Sequence, residues 1–313
     1  MDPVRKKEIL IGNELQPNAV IMTRRLTIGL HDGGSVVMQA DGPEEEISFD
    51  GLGGLLCLPV VESEQETADV ELIALDRMPE GCHLLKTTPL TEIVYTADWS
   101  RVLIAGWKKK PRRKHYYLCY VWQTALIYAG LNAILREENA VLVHCTVLET
   151  DRGAILIFGE SGMGKSTASA RWRANGGKCV SDDMALLDFS GSDGEIYVRR
   201  MPTWSDCREG KNEWNYPAGE EIPLVGVLAL GRSETGHDEI VPLSPAQFFA
   251  QCYRSMFYWD LFYAKELPEE KQRILTDRIQ ALAELITKRF APRALLTVLE
   301  GDLKTVIEDN LRN

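Results

Sequence analysis

The sequence predicts an α/β fold in which a smaller, β-rich amino-terminal domain precedes a larger domain. Residues 1–107 alternate short apolar stretches with Gly, Asp and Pro, which is typical of strands separated by turns. Further along, the apolar segment 154–158 leads through a glycine-rich stretch into a helix-like segment at 166–173, an order typical of α/β folds. A chain of 313 residues is long enough to form two domains.

The predicted boundary is the basic run at residues 108–115, because such a run is more often a solvated linker than a binding site. The predicted domains are therefore residues 1–107 and 116–313. Residues 116–136 are apolar nearly all round, which predicts a helix buried between layers. Residues 140–148 and 154–158 predict two apolar strands, joined as a hairpin by five turn-forming residues.

Charge and cysteine content exclude several classes of protein. The net charge of −11 argues against general attraction to nucleic acid or to an anionic membrane surface. No apolar run of about 18 residues predicts a membrane span. The seven cysteines are scattered singly, as expected for reduced thiols. We therefore expect a cytoplasmic protein that binds neither nucleic acid nor membrane.

The glycine-rich stretch from Gly159 to Ser166 fits the pattern G-x-x-x-x-G-K-[ST] at each fixed position. Glycines let successive backbone N–H groups turn toward a phosphate, and a helix that begins there adds partial positive charge. Lys165 would supply a cation and the Ser166 hydroxyl a magnesium ligand. The motif predicts a P-loop that binds ATP and Mg²⁺. The predicted nucleotide-binding residues are Gly159, Glu160, Ser161, Gly162, Met163, Gly164, Lys165, Ser166 and Thr167.

A second candidate cluster follows the predicted helix. Residues 178–180 predict a short buried strand beside the P-loop strand, and it ends in Ser181-Asp182-Asp183. Adjacent carboxylates could bind magnesium or accept a proton from an attacking hydroxyl, although Asp is also common in turns and helix caps. His144 lies in the strand before the hairpin, where a core histidine and a catalytic one are both possible.

Taken together, these segments resemble the kinase domain of the HPr kinase/phosphorylase family, whose fold is related to that of phosphoenolpyruvate carboxykinases. The resemblance is carried by Val143-His144, by the loop Phe158 to Thr167 and by Gly177 to Asp183, at the spacings expected of the family. It implies a P-loop kinase core of the HPr kinase/PEP carboxykinase type and a homo-oligomer. It also implies that Asp182 is the general base, that Lys165 holds the phosphates, that Ser166 and Asp183 bind magnesium, and that His144 orients the acidic pair.

The resemblance has a limit downstream of the acidic pair. Residues 199–211 lack the signature rich in Pro, Arg, Gly and Asn, so HPr as acceptor and phosphorylase activity are not implied. The layout is similar to divergent members associated with ribosomal peptide modification, such as SynChlorMet cassette proteins. This predicts a kinase that phosphorylates a hydroxyl, such as a serine, of a peptide or small protein, with peptide-modifying enzymes as partners. The alternative is a non-catalytic nucleotide-binding accessory or scaffold protein.

The carboxyl-terminal region predicts packing elements. Residues 225–230 predict a buried strand, and Arg232 at its end could meet a phosphate or lie in a surface loop. A helix is expected from Pro245, with Ser244 as its N-cap, and a longer one over 269–289. The aromatic residues between 253 and 262 predict core or a subunit contact, with a peptide groove as the alternative.

Overall fold

The computed structural model describes residues 23–29, 35–40, 53–54, 57–63, 70–74, 77–105, 121, 124, 125, 127, 128, 131, 135, 139–189, 191, 194–201 and 220–312. The predicted linker at 108–115, the strand-like residues 19–22, and Trp204 and Trp214 lie outside the described residues.

The first sheet contains seven strands: β1 (Thr23–Gly29), β2 (Ser35–Ala40), β3 (Val61–Ser63), β4 (Val70–Ala74), β5 (His83–Thr87), β6 (Glu92–Tyr95) and β7 (Val102–Ala105). Their order across the sheet is β3-β1-β2-β4-β7-β6-β5. The sheet is mixed, because β4 runs parallel to β2 and to β7 while the other pairs are antiparallel. Of the predicted apolar stretch 55–58, residues 57 and 58 belong to none of these strands, and residues 55 and 56 lie outside the described residues.

The second sheet is larger and also mixed. Its strands are β8 (Ala140–His144), β9 (Thr146–Thr150), β10 (Gly153–Phe158), β11 (Lys178–Ser181), β12 (Met184–Asp188), β13 (Tyr197–Arg200), β14 (Glu221–Arg232), β15 (Glu239–Pro242) and β16 (Arg293–Thr297). The order is β11-β9-β10-β14-β13-β12-β8, with β16 pairing with β14 and β15. Strand β14 runs parallel to β10 and β16, so the protein is a mixed α/β fold.

Within the described residues, four helices have both ends defined: α1 (Lys165–Ala174), α2 (Pro245–Ala264), α3 (Glu269–Arg289) and α4 (Leu303–Arg312). Helix α2 begins with a capping box, because the Gln247 N–H donates to Ser244 Oγ and the Ser244 N–H donates to Gln247 Oε1. Helix α3 has the predicted bounds. Every helix within the described ranges is too short or too polar to serve as a membrane-spanning segment.

Strand β10 is covered on both faces, and this explains its apolar sequence. Ile155 and Ile157 belong to a core cluster with Trp172 of α1 and Ile307 of α4. The alternating residues Ala154, Leu156 and Phe158 belong to a second cluster with side chains of α2 and α3, among them Phe248, Cys252, Met256 and Ile279. The strand that leads into the glycine-rich loop is therefore fixed from both sides.

The segment before β10 agrees with one sequence prediction and differs from another. The described residues between 121 and 135 are helical and all but Leu135 are buried, as predicted for a helix within the core. The prediction of a single strand over 140–148 is wrong, because Cys145 interrupts it and divides it into β8 and β9. Strand β8 pairs with β12, whereas β9 pairs with β10. The sequence over 140–148 is largely apolar and therefore does not indicate this change of neighbouring strand.

Substitution of Gly153 by alanine is expected to destabilise the fold by about 2 kcal/mol or more. Gly153 has φ +138°, and an added methyl group would overlap the carbonyl oxygen of Pro223 and approach Val225 Cγ1 to 2.8 Å. Denaturant unfolding measures the loss. Gly236→Ala is the matched control, because Gly236 also has a positive φ but nothing lies within 4 Å of the added carbon. Equal losses in the two variants would contradict the role assigned to the contact with β14.

Candidate functional site

The loop of residues 159–164 connects the end of β10 to the start of α1. Gly162 and Gly164 have φ values of +81° and +105°, and an added Cβ at either position would have no heavy atom within 4 Å. Their requirement for glycine is therefore conformational rather than a matter of packing. The strand before the motif and the helix after it are present as predicted, and the helix ends at Ala174, with Asn175 as its C-cap before Gly176 and Gly177.

Lys165 is the first residue of α1, and its side chain folds back over the loop. Its ammonium group donates to the carbonyl oxygens of Gly159, at 2.7 Å, and Glu160, at 3.1 Å. The side chain is only 5% exposed. Burial lowers the pKa of Lys165 below its usual value, while the neighbouring Cys145 thiol and Asp183 carboxylate act in the opposite direction. A buried cation is thus held at the loop, beside an acidic residue.

The acidic pair forms the two-residue connection between β11 and β12. Ser181 fixes this connection, because its hydroxyl donates to the Met184 carbonyl oxygen and accepts from the Met184 N–H at 3.2 Å. Asp182 is buried, with 6% of its surface exposed, and Asp183 is about one fifth exposed. The prediction that these residues follow a strand directly beside the P-loop strand is wrong, because β9 lies between β11 and β10.

The acidic pair nevertheless lies at the same sheet edge as the loop. Strand β9 is antiparallel to both β10 and β11, so β10 and β11 run in the same direction and their carboxyl ends share one edge. Val147 is the common reference point, because it pairs with Leu156 on one side and with Ser181 on the other. Strand β11 ends at this row with Ser181, and β10 continues for two residues past Leu156 to Phe158, so the acidic pair and the loop begin close to the same level of the sheet.

His144 and Cys145 hold Asp183 from the neighbouring crossover between β8 and β9. The Cys145 N–H donates to the Asp183 carbonyl oxygen at 3.1 Å. His144 Nδ1 lies 2.8 Å from that oxygen and 3.1 Å from Asp183 Oδ1. Because a carbonyl oxygen only accepts hydrogen bonds, the shorter contact requires a proton on Nδ1. His144 thus contacts Asp183 of the acidic pair through both the backbone and the side chain of that residue.

The remaining predicted nucleotide-binding residues belong to the loop or to the first turn of α1. Ser161 and Ser166 are exposed, Thr167 is half-buried, and Met163 packs against the cluster around Trp172. The Ser166 hydroxyl and the Asp183 carboxylate are the oxygen ligands that magnesium prefers. In the part of the chain that the structure describes, no group of three His, Cys, Asp or Glu side chains is arranged as a metal site. Two protein oxygens fit magnesium, which usually completes its coordination with waters and phosphate oxygens.

Sequence reasoning missed one charged residue at the loop. Arg254 of α2 forms an ion pair with Glu160, with 3.2 Å between Nη1 and Oε1. The two residues are separated by 94 positions along the chain, and no pattern in the sequence links them. Arg232 is exposed at the end of β14.

Comparison with known proteins assigns the family. The model of the SynChlorMet cassette protein ScmC matches residues 109–312, which is more than half of the chain. The chain belongs to the ScmC family. The resemblance to SynChlorMet cassette proteins that the sequence predicts is therefore confirmed. The match to ScmC begins close to the predicted domain boundary and includes the loop, the acidic pair and both crossover residues.

The other two comparisons add little to the ScmC assignment. No curated protein matches the chain. Among solved structures, the HPr(Ser) kinase/phosphatase from Coxiella burnetii matches with 20% sequence identity. The match covers 34% of this chain and 71% of that chain, with a TM-score of 0.24, which is too low to establish a common fold.

Proposed function

We propose that this ScmC-family protein is an ATP- and magnesium-dependent kinase that phosphorylates a serine hydroxyl of a peptide or small protein. The observation that carries the proposal is the meeting of a glycine loop, a buried lysine and an acidic pair at one sheet edge. Phosphoryl transfer requires mainly positioning and neutralisation of charge, and these groups supply both. A P-loop kinase core of the HPr kinase type at 116–313, preceded by a separate β-rich domain at 1–107, belongs to the same proposal.

Each residue has one role in the proposed reaction. The loop N–H groups and Lys165 bind the phosphates of ATP, and Ser166 and Asp183 hold magnesium, which neutralises phosphate charge. Asp182 takes the proton from the acceptor hydroxyl as its oxygen bonds to the γ-phosphorus and the bond to the bridging oxygen of ADP breaks. The products are ADP and a phosphoserine. His144 keeps the Asp183 end of the acidic pair in place.

The acceptor class is proposed from family membership. ScmC is described as a cassette protein, and proteins of one cassette are expected to act on a common product. A serine-containing precursor peptide is the acceptor that we propose, with the peptide-modifying enzymes of the cassette as partners.

Incubation of the full chain with γ-labelled ATP, Mg²⁺ and serine-containing precursor peptides tests the proposal. We expect label on the peptide, none on the same peptide with serine replaced by alanine, and none after chelation of magnesium. ATP binding should be measured in parallel on the same preparation. If the chain binds ATP and cassette enzymes but labels none of the peptides, it is a nucleotide-binding accessory protein and the kinase proposal is wrong.

A further inference from the structure

Arg254 lies on the outward side of α2, at the rim of the glycine loop. Phe248, Cys252 and Met256 are buried on the core side of this helix, whereas Arg254 is exposed. Its guanidinium reaches Glu160, the second residue of the loop, at 3.2 Å. The carbonyl oxygen of the same Glu160 accepts a hydrogen bond from Lys165. The two cations therefore contact the same loop residue, one through its side chain and the other through its backbone.

The contact between Arg254 and Glu160 is easily broken. The two side chains are 71% and 64% exposed, and ion pairs in such positions contribute little to stability. Opening this pair leaves no charge buried without a partner. Arg254 can therefore change partners at low cost when a more highly charged anion binds to the loop.

A nucleoside triphosphate is such an anion. The loop already carries the negative side chain of Glu160, and the Asp183 carboxylate acts on Lys165, so the terminal phosphate adds to existing negative charge. Lys165 is buried, and its ammonium group donates hydrogen bonds to the first two residues of the loop, Gly159 and Glu160. An arginine fork matches phosphate oxygens in two places at once, and a positioned arginine is a recurring stabiliser of phosphoryl transfer.

We propose that Arg254 binds the terminal phosphate of the nucleoside triphosphate, and that Glu160 holds it beside the loop until the nucleotide arrives. The inference rests on the proposed nucleotide site and adds a residue that touches the transferred group. Arg254 distinguishes a triphosphate from a diphosphate, because only the triphosphate carries the phosphate that it contacts. On binding, the guanidinium exchanges the Glu160 carboxylate for phosphate oxygens.

Titration of the full chain with Mg·ADP and with a non-hydrolysable Mg·ATP analogue tests this inference without any acceptor. Arg254→Ala should weaken binding of the analogue about tenfold and leave ADP affinity within about twofold of the wild type. Arg254→Lys should recover part of the loss, because it restores the charge but not the fork. Glu160→Gln should strengthen binding of the analogue by a few-fold, because Arg254 loses its competing partner.

Two further arginine variants serve as controls. Arg152→Ala makes the same charge change at the opposite end of β10, roughly 20 Å from the loop, and should alter neither affinity. Arg232→Ala tests whether the exposed arginine at the end of β14, and not Arg254, contacts the terminal phosphate. Equal loss of ADP and analogue binding in Arg254→Ala, no loss at all, or a selective loss in Arg232→Ala instead would overturn the inference.

The same measurements separate this inference from the kinase proposal. If Arg254→Ala shows the selective loss and the wild type phosphorylates none of the peptides, the inference stands and the kinase proposal fails. If the wild type phosphorylates peptide and Arg254→Ala matches it in analogue affinity and in kcat/KM, the kinase proposal stands and the inference fails. A wild type that binds neither nucleotide contradicts both.

Discussion

Asp182→Asn is expected to lower kcat for peptide phosphorylation about 10³-fold, with ATP affinity nearly unchanged. The amide is close in size to the carboxylate but cannot accept the hydroxyl proton. Asp182 is buried in the connection that Ser181 fixes, so the substitution should leave the neighbouring backbone in place. Steady-state kinetics with labelled ATP measure kcat, and equilibrium titration with the non-hydrolysable analogue measures affinity.

The control for this substitution is Asp188→Asn at the other end of β12, where the carboxylate is also buried. That variant is expected to change stability without a comparable loss in kcat. Asp183→Asn should instead raise the magnesium concentration needed for half-maximal activity, because Asp183 is the proposed metal ligand. A fall in kcat of less than tenfold for Asp182→Asn would remove Asp182 from the role of general base.

Arg171→Met is expected to lower the free energy of unfolding by about 3–5 kcal/mol. Arg171 of α1 donates to Asp238, to Thr297 Oγ1 and to the Val298 carbonyl oxygen, the last two at 2.7 Å. Arg171 and Asp238 are 8% and 5% exposed, so methionine would leave a buried carboxylate without its cation. Denaturant unfolding of the two proteins at neutral pH measures the difference.

Acid provides a second test of the Arg171 prediction. Burial raises the pKa of Asp238, but hydrogen bonds from Arg171, the Val298 N–H and Thr297 outweigh it, so the pKa lies below its usual value. A depressed pKa contributes stability that is present above the unfolded value and is lost as pH falls through the folded value. The stability gap between wild type and Arg171→Met should therefore narrow as the pH falls from neutral through the usual aspartate pKa and toward the lower folded value.

An exposed pair serves as the control for Arg171. Lys178→Met removes an ion pair with Glu149 whose lysine is 76% exposed, and it should cost much less stability. A loss for Arg171→Met no larger than that of Lys178→Met would show that the network does not hold α1 against β16 and the segment that follows it.

Local chemistry made part of this structure predictable from sequence. The loop between β10 and α1 could be predicted because glycine is needed where φ is positive, as at Gly162 and Gly164. The bounds of α3 could be predicted from its acidic start, its basic end and the apolar period between them. Each of these signals lies within a few residues of the feature that it predicts.

The features that escaped prediction depend on distant parts of the chain. Arg171 and Asp238 are 67 positions apart, and Arg254 and Glu160 are 94 apart. The insertion of β9 between β10 and β11 is a choice of strand order, and apolar strands of similar composition do not encode their order locally. The interruption between β8 and β9 at Cys145 could not be predicted either, because buried residues lie on both sides of it.

The large sheet has two halves, one with β8, β12 and β13 and the other with β9, β10 and β11, and β14 pairs with both. The chain passes from one half to the other at Cys145 and again at Asp182-Asp183, and the Cys145 N–H donates to the Asp183 carbonyl oxygen where the two passages meet. A displacement of one half along the other at this point would therefore break that hydrogen bond and move Asp183 away from His144. The position of the acidic pair therefore depends on how the two halves are aligned. A substitution far from the loop that tilts one half would move Asp183.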